Sequence, residues 1–346
     1  KLNMSKKNSI VLKHKNCFEK FEHINKIFNN FRKKILSEKN KSFLVGVSGG
    51  PDSLALAAMC KAFEYENSST KFHYVNINHG IRKNSKKESF KVKNLLKKHK
   101  INLKIVNNSQ KIKKNIQHNA RSIRYNLLRK ECIKNKIKTI ITAHHQDDQI
   151  ETFLIRLSRG SGIQGLSSMN QVSKLDKSIK ILRPLLNDKK KELIKISTKV
   201  FGTYIIDPSN KDSKFLRVKI RKLLPILKKY GIEEKQIAKS IDNLQSTSNT
   251  MKYYYKEIFK TIISKKRNNL FIKKKDFFSF NQEIRIKILG NSIRSLTKSY
   301  YPPRASKIKN AISALHNQGN GLNYSLSGCL ISQDQKLICV KKMRKN

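Results

Sequence analysis

Acidic residues are in short supply in this 346-residue chain: 23 Asp and Glu stand against 76 Lys and Arg, a formal charge of +53. That imbalance argues against cationic partners and points to polyanions at low salt. Cysteine is sparse as well. The five, Cys17, Cys60, Cys132, Cys329 and Cys339, are scattered, and none forms a C-x-x-C pair. This argues against a disulfide scaffold, a zinc ribbon and most thiol-redox motifs, and it fits a reducing cytoplasm. No run of about 18 apolar residues exists, so no membrane span is expected. The first residues contain no continuous apolar stretch, so no secretory signal is expected either. The first methionine is Met4, which places the expected natural start after Asn3. Glycine, proline and tryptophan are few while Lys, Ile and Asn are abundant. AT-rich coding would produce that bias. Codon usage on a solvated surface therefore stands beside nucleic-acid binding as a reading of the charge.

What is present suffices for a core, with 38% hydrophobic residues. The length suggests about two domains. The first two-thirds alternates strand-like and helix-like segments. Strands are expected at Phe43–Val47, Phe72–Asn78, Ile101–Val106, Thr139–Thr142 and Ile179–Leu182. Helices are expected at Ser53–Tyr65, Lys86–Lys98, Asn115–Asn135 and Gln146–Arg159. Such alternation implies an α/β fold: a parallel sheet with helices on both faces and ligands beyond the strand C-termini. After Asp207 the texture changes. Phe215–Lys229 reads as a basic helix interrupted by Pro225, and Glu233–Leu289 reads as mostly helical and polar. A short helix is expected at Ile308–Leu315, then small strands at Asn323–Cys329 and Gln335–Lys341. The expected division is a catalytic domain at 1–212, a basic helical linker or RNA-binding region at 213–300 and a small α+β domain at 301–346.

The first strand runs into Ser48-Gly49-Gly50-Pro51-Asp52-Ser53. Two glycines permit close backbone approach and positive φ, and the N–H groups at a helix start cradle anions. A carboxylate beside a phosphate repels it unless a cation intervenes, so Asp52 suggests Mg2+. A tight turn alone would explain the glycines but not the serines and the Asp together. Asn78-His79-Gly80-Ile81-Arg82 ends the second strand on the ligand side. Arg121 and Arg124 lie three apart and share a helix face, either as a phosphate clamp or as a solvated basic face.

The densest segment is Thr142-Ala143-His144-His145-Gln146-Asp147-Asp148-Gln149-Ile150-Glu151-Thr152, followed by Arg159-Gly160-Ser161-Gly162. Asp147, Asp148 and Glu151 share the start of a helix. Capping by the dipole accounts for acids there, but three exceed what capping needs. Such a cluster suits Mg2+ or an ammonium group. The Gly-Ser-Gly run suits a loop that closes over substrate.

The loop SGGPDS resembles the PP-loop of the ATP pyrophosphatase superfamily. Taken in order, SGGPDS, NHGIR, NARSIRY, TAHHQDDQIET with RGSGIQGL, RPLL and DPSN with a basic helix resemble the tRNA(Ile)-lysidine synthase family over residues 40–225. The segment from Pro302 to Lys341 resembles that family's small C-terminal domain more weakly, and the further domain of longer members is expected to be absent. The resemblance implies a parallel-sheet PP-loop domain of the Rossmann-like, adenine nucleotide alpha hydrolase type. It implies ATP and Mg2+, a CAU-anticodon tRNA(Ile) and free L-lysine, in a bacterial cytoplasm or a plastid stroma, and it allows a homodimer. The base carbonyl would attack the α-phosphate of ATP. Lysine would then displace AMP, giving lysidine.

On this resemblance, Ser48, Gly49, Gly50, Pro51, Asp52, Ser53, His79, Arg82 and His144 would hold the nucleotide. Asp52, Asp147 and Asp148 would hold the metal. Asp52, Asp147, Asp148, Glu151 and Arg121 would serve the chemistry, and Arg124, His145, Arg159, Arg217 and Arg221 would meet substrate or RNA. Two rivals remain: a PP-loop tRNA thiolase, for which the cysteine pattern is poor, and a non-catalytic basic RNA-binding protein.

Overall fold

The computed structural model describes residues 18–80, 84–109, 116–176, 178–206, 212, 214–299, 302–318 and 321–343, with the side chains of residues 116–118 excepted. Arg82 and the Asp207-Pro208-Ser209-Asn210 turn lie outside the described residues. Two compact units emerge, Lys1–Gln245 and Ser246–Asn346.

The first unit is built on strands β1 (Ser42–Gly46), β2 (Lys71–Asn78), β3 (Leu103–Asn107), β4 (Thr139–Ile141), β5 (Val172–Lys174) and β6 (Lys180–Leu182), in the spatial order β3-β2-β1-β4-β6-β5. All neighbours are parallel except β5, which lies antiparallel to β6 at the edge. Its helices are α1 (Glu22–Leu36), α2 (Pro51–Glu66), α3 (Ser85–Lys98), α4 (Ile116–Lys134), α5 (Gln146–Leu157), α6 (Ile163–Leu166), α7 (Lys190–Phe201) and α8 (Leu216–Lys229).

The alternation of β1 shows why both faces are covered. Phe43 and Val45 point into one core with α1, α2, α3 and α7, while Leu44 points into another with Leu128 and Cys132 of α4. Helix α2 is apolar all round because it is enclosed, with Leu54 to Cys60 fully buried. The chain starts at the sheet centre, steps outward to β2 and β3, then returns to β4 on the other side of β1. The strand order therefore reverses between β1 and β4, and a crevice opens there at their C-terminal ends.

Four features differ from the sequence reading. Helices α1, α6 and α7 and edge strand β5 were not anticipated. Helix α8 runs through Pro225 without interruption. Proline removes one helical N–H, and the packing of Leu224 against Ile150, Ile237 and Ile241 helps to offset that loss. The stretch expected to be helical to Leu289 ends its long helix α9 (Glu234–Ile262) and turns into a hairpin, β7 (Ile263–Lys266) and β8 (Asn269–Lys273). The third strand is shifted to Leu103–Asn107.

The second unit contains a five-stranded antiparallel sheet, ordered β7-β8-β11-β10-β9, with β9 at Asn323–Leu326, β10 at Cys329–Gln333 and β11 at Leu337–Lys342. Helices α10 (Lys274–Ser279), α11 (Gln282–Thr297) and α12 (Ala305–Asn317) cover it around Ile272, Phe277, Leu289, Ile312, Ile331 and Val340. Residues 301–346 supply three of the strands, and β8 pairs with β11 from a distance.

One half-buried acid beside this framework titrates unusually. Burial pushes the Asp188 carboxyl up to about 6, against the opposing attraction of Lys34. Lys34 itself donates to the Pro184 carbonyl at 2.5 Å. A folded pKa above the unfolded one makes the charged form costly, so this group's contribution to stability is lost as pH rises from about 4 to about 6. Asp188→Asn is expected to be more stable than the parent by about 1–3 kcal/mol at pH 7, with the gap closing by pH 4 in denaturant melts.

Candidate active site

The loop after β1 is shaped by its own serine. The Ser53 Oγ accepts the Ser48 N–H at 3.2 Å and the Gly49 N–H at 3.0 Å, and it donates to the Gly50 carbonyl at 2.9 Å. Ser53 is therefore occupied in holding the turn, while Ser48 is exposed. Gly49 has φ +93°, and a Cβ there would lie 2.3 Å from Val92 Cγ2. Gly50 has ordinary dihedrals and room for a Cβ. Pro51 opens α2 and no side chain caps it, so the first N–H groups of the helix remain available to an anion.

Across the crevice, β4 leads into Thr142–His145 and α5. The His145 N–H donates to Asp148 Oδ2 at 3.3 Å, which starts the helix. The next segment steadies the same turn: the Gln146 N–H donates to the Asp188 carbonyl at 2.9 Å, and the Lys190 N–H to Asp147 Oδ1 at 3.1 Å.

The two loops meet at one buried ring. The imidazole of His145 lies 3.5 Å from Asp52 Oδ2, 3.5 Å from Asp148 Oδ2 and 3.7 Å from Asp147 Oδ1. It is 3% exposed. Burial opposes its charge, but Asp147, Asp52 and Asp148 outweigh burial and push it up to about 10. His145 is thus an imidazolium at neutral pH, a counter-ion to the cluster and not a base. Asp147 is held below the usual carboxylate range: burial works against this, but His145 and the Lys190 N–H prevail.

Residues 20–227 match the PP-loop domain family, which is more than half of the chain. The chain is also 34% identical over 295 residues to the tRNA(Ile)-lysidine synthase of Wolbachia pipientis wMel, covering 84% of this chain and 68% of the relative. The chain belongs to the tRNA(Ile)-lysidine synthase family of PP-loop proteins. The enzyme of that name from Wolbachia sp. subsp. Brugia malayi is 29% identical over 295 residues, with 84% and 68% coverage. Among solved structures, a U34-tRNA thiolase from Methanococcus maripaludis shares the fold, with a TM-score of 0.55, 19% identity, and coverage of 67% of this chain and 81% of that one.

The remaining residues singled out in this family member fall into groups. Glu151, 2% exposed, is gripped by Arg221: Nε to Oε1 at 2.5 Å and Nη2 to Oε2 at 3.3 Å. The Arg217 guanidinium stands 3.9 Å from Asp148 and 4.0 Å from Glu151. His144 is neutral. Burial drives its pKa well down, helped by the charges of Arg183, Arg121, Arg217 and Arg124. Its Nδ1 lies 2.8 Å from Thr142 Oγ1. His79 is pushed down to about 4 by burial and by Arg124, whose Nε donates to its Nε2 at 3.3 Å. Arg121 and Arg124 are otherwise exposed on α4. Arg159 is not brought to the acids. It is exposed beyond the far end of α5, a helix about 18 Å long.

Several contributors were given no site role from the sequence, Arg183 of the RPLL motif among them. Arg183 is 5% exposed and bonds to the Asn170 carbonyl and Ser173 Oγ, both at 2.9 Å. Gln149 pairs with both backbone groups of Met169, at 2.8 and 2.7 Å, and Arg156 donates to the Gly165 and Ser168 carbonyls. Together they pin the segment Gly165–Ser173 that follows the Gly160–Gly162 loop. A buried amide and an arginine within an amphipathic helix were the available signal.

Two outcomes follow from this geometry. Gly49→Ala is expected to destabilise the fold by about 2–4 kcal/mol, whereas Gly50→Ala should melt normally and weaken nucleotide binding, as read by calorimetry. Because the folded pKa of His145 exceeds its unfolded value, its contribution is complete below about pH 6.5 and is lost toward about pH 10. His145→Asn should therefore lose about 3 kcal/mol of stability at pH 6 and progressively less at alkaline pH.

Proposed function

We propose that this chain uses ATP to join free L-lysine to the wobble cytidine of a CAU-anticodon tRNA(Ile). The observation that carries this reading is the meeting of Asp52, from the phosphate loop, with Asp147 and Asp148, from α5, around one imidazolium. Family membership supplies the substrate class, since both relatives named above are tRNA(Ile)-lysidine synthases.

ATP would lay its phosphates against Ser48, the Gly50 N–H and the open start of α2. Mg2+ fits this corner. Asp52 Oδ1 is buried and without a hydrogen-bond partner among the described residues. No group of three or more metal-ligating side chains forms a ready cage among those residues, but Mg2+ is commonly held by one or two carboxylates with phosphate oxygens. Asp52 and Asp148 are the residues that would hold it, and when bound it offsets the charge of the departing pyrophosphate. The cytidine carbonyl oxygen attacks the α-phosphate and pyrophosphate leaves. The neutral ε-amine of lysine would then attack the ring carbon that bears the adenylated oxygen and AMP would leave, with Asp147, the acid outside the metal pair, placed to take the amine's proton. Arg121 and Arg124 offer exposed guanidiniums to RNA phosphates, and His144, kept neutral, can accept or donate a hydrogen bond at the nucleotide.

Thiolation has the fold neighbour in its favour and the cysteines against it. The four described cysteines are free, and burial pushes the thiols of Cys60, Cys132, Cys329 and Cys339 up, away from the reactive thiolate. A cytoplasmic setting suits the reading. No helix among the described residues is long and apolar enough to cross a membrane.

Labelled lysine should enter CAU-anticodon tRNA(Ile) only when ATP is present, and elongator tRNA(Met) should stay unlabelled. Absence of ATP-dependent label would refute the reading. Asp52→Ala and Asp147→Ala should each abolish incorporation while the chain stays folded by circular dichroism, with a lowered melting temperature because each removes a counter-charge of His145; near-normal turnover in both would remove these acids from the chemistry.

A further inference from the structure

Four acids surround the crevice, yet they are not equivalent. Three share His145. The fourth, Glu151, is nearly inaccessible, and both its oxygens are engaged by Arg221 from α8. A bidentate carboxylate–guanidinium pair is directional as well as strong, so it fixes the rotation of the helix that carries the arginine. Arg217 lies four residues earlier on α8, one turn away on the same face. Its position is unlike that of Arg221. It is half-exposed, it approaches Asp148 and Glu151 only at 3.9 and 4.0 Å, and it makes no hydrogen bond to any described residue. Its guanidinium is therefore only loosely paired with the two carboxylates and keeps donors for a further anion, and it helps keep His144 neutral alongside Arg121, Arg124 and Arg183.

We propose that Arg221 is a positioning residue: by locking Glu151 it withdraws that carboxylate from the lysine amine and sets α8 so that Arg217 presents its guanidinium to a phosphate of the bound substrates. The pair acts through Arg217 and does not touch substrate. This separates Glu151 from Asp147 and Asp148, which the sequence groups together, and it separates Arg221 from Arg217. It rests on the reading above only for the identity of the substrates. The phosphate belongs either to ATP or to the RNA backbone, and separate binding measurements distinguish them.

The test compares Arg217→Gln, Arg221→Gln, Glu151→Gln and the double variants Arg217→Gln/Arg221→Gln and Glu151→Gln/Arg221→Gln. For each, Kd is measured for ATP alone and for a tRNA(Ile) transcript at fixed salt, with KM for lysine and a thermal melt. Arg217→Gln should weaken one of the two phosphate ligands by about tenfold, the cost of a charged hydrogen bond. Arg221→Gln and Glu151→Gln should weaken the same ligand by a similar factor. The Arg217→Gln/Arg221→Gln variant should be no worse than Arg217→Gln, because both changes remove one contact. KM for lysine should stay within about twofold throughout.

If Arg221→Gln alone unfolds the chain by stranding a buried carboxylate, Glu151→Gln/Arg221→Gln, which buries two neutral amides, carries the comparison. Multiplicative losses in the Arg217→Gln/Arg221→Gln variant would overturn the proposal. So would unchanged binding of both ligands in Arg217→Gln, or a lysine KM raised about tenfold in Glu151→Gln. A parent chain that binds ATP and tRNA but transfers no lysine would defeat the functional reading and leave the binding comparison to decide on Arg221.

Discussion

A buried imidazolium holds the two halves of the crevice together. His145 stands between Asp52, carried by the loop after β1, and Asp147 and Asp148, carried by the helix after β4. Three carboxylates this close would repel one another and would be expensive to enclose without a counter-charge. The ring supplies it, and burial then strengthens the attraction by excluding water. The position of the phosphate loop relative to the acids is thereby tied to one side chain.

The same rule of local neutrality extends outward. Glu151 is matched by Arg221, Asp147 also accepts a backbone N–H, and Asp148 caps its own helix. Four carboxylates face two close cations, with Arg217 further off, so the crevice keeps an acidic character inside a chain of charge +53. Around it the field reverses. Arg121, Arg124 and Arg183 keep His144 neutral, and Arg124 with burial does the same for His79. A negative crevice within a positive rim is the arrangement expected where a small cation and a polyanion must meet.

Much of this was legible in the chain because the chemistry is carried by contiguous residues. The turn Ser48–Ser53 and the run Thr142–Thr152 each join a strand to a helix, so their spacing already placed them at strand C-termini. The strand order that brings those termini together follows from β/α alternation once the chain returns to β4. Less legible were elements with weak local signals. Hairpin β7–β8 buries Leu270 and Ile272 with little else on that face, and its lysines read as helix surface. Pro225 reads as a break, but Leu224 has an apolar socket that only the folded chain provides. His145 and His144 are adjacent in sequence and similar in type, yet one is charged and the other neutral.

The α/β fold, the phosphate loop, the acidic run at the start of α5 and the family are all readable in the linear order of residues. Each is a short-range pattern, and backbone geometry converts such patterns into positions. Which charge answers which is set by the folded chain. Arg221 meets Glu151 across 70 residues, and Asp52 meets His145 across 93. Those pairings depend on burial and on a helix packed from elsewhere in the chain. Both set the local dielectric and the distance, and neither is written in the spacing of neighbouring residues.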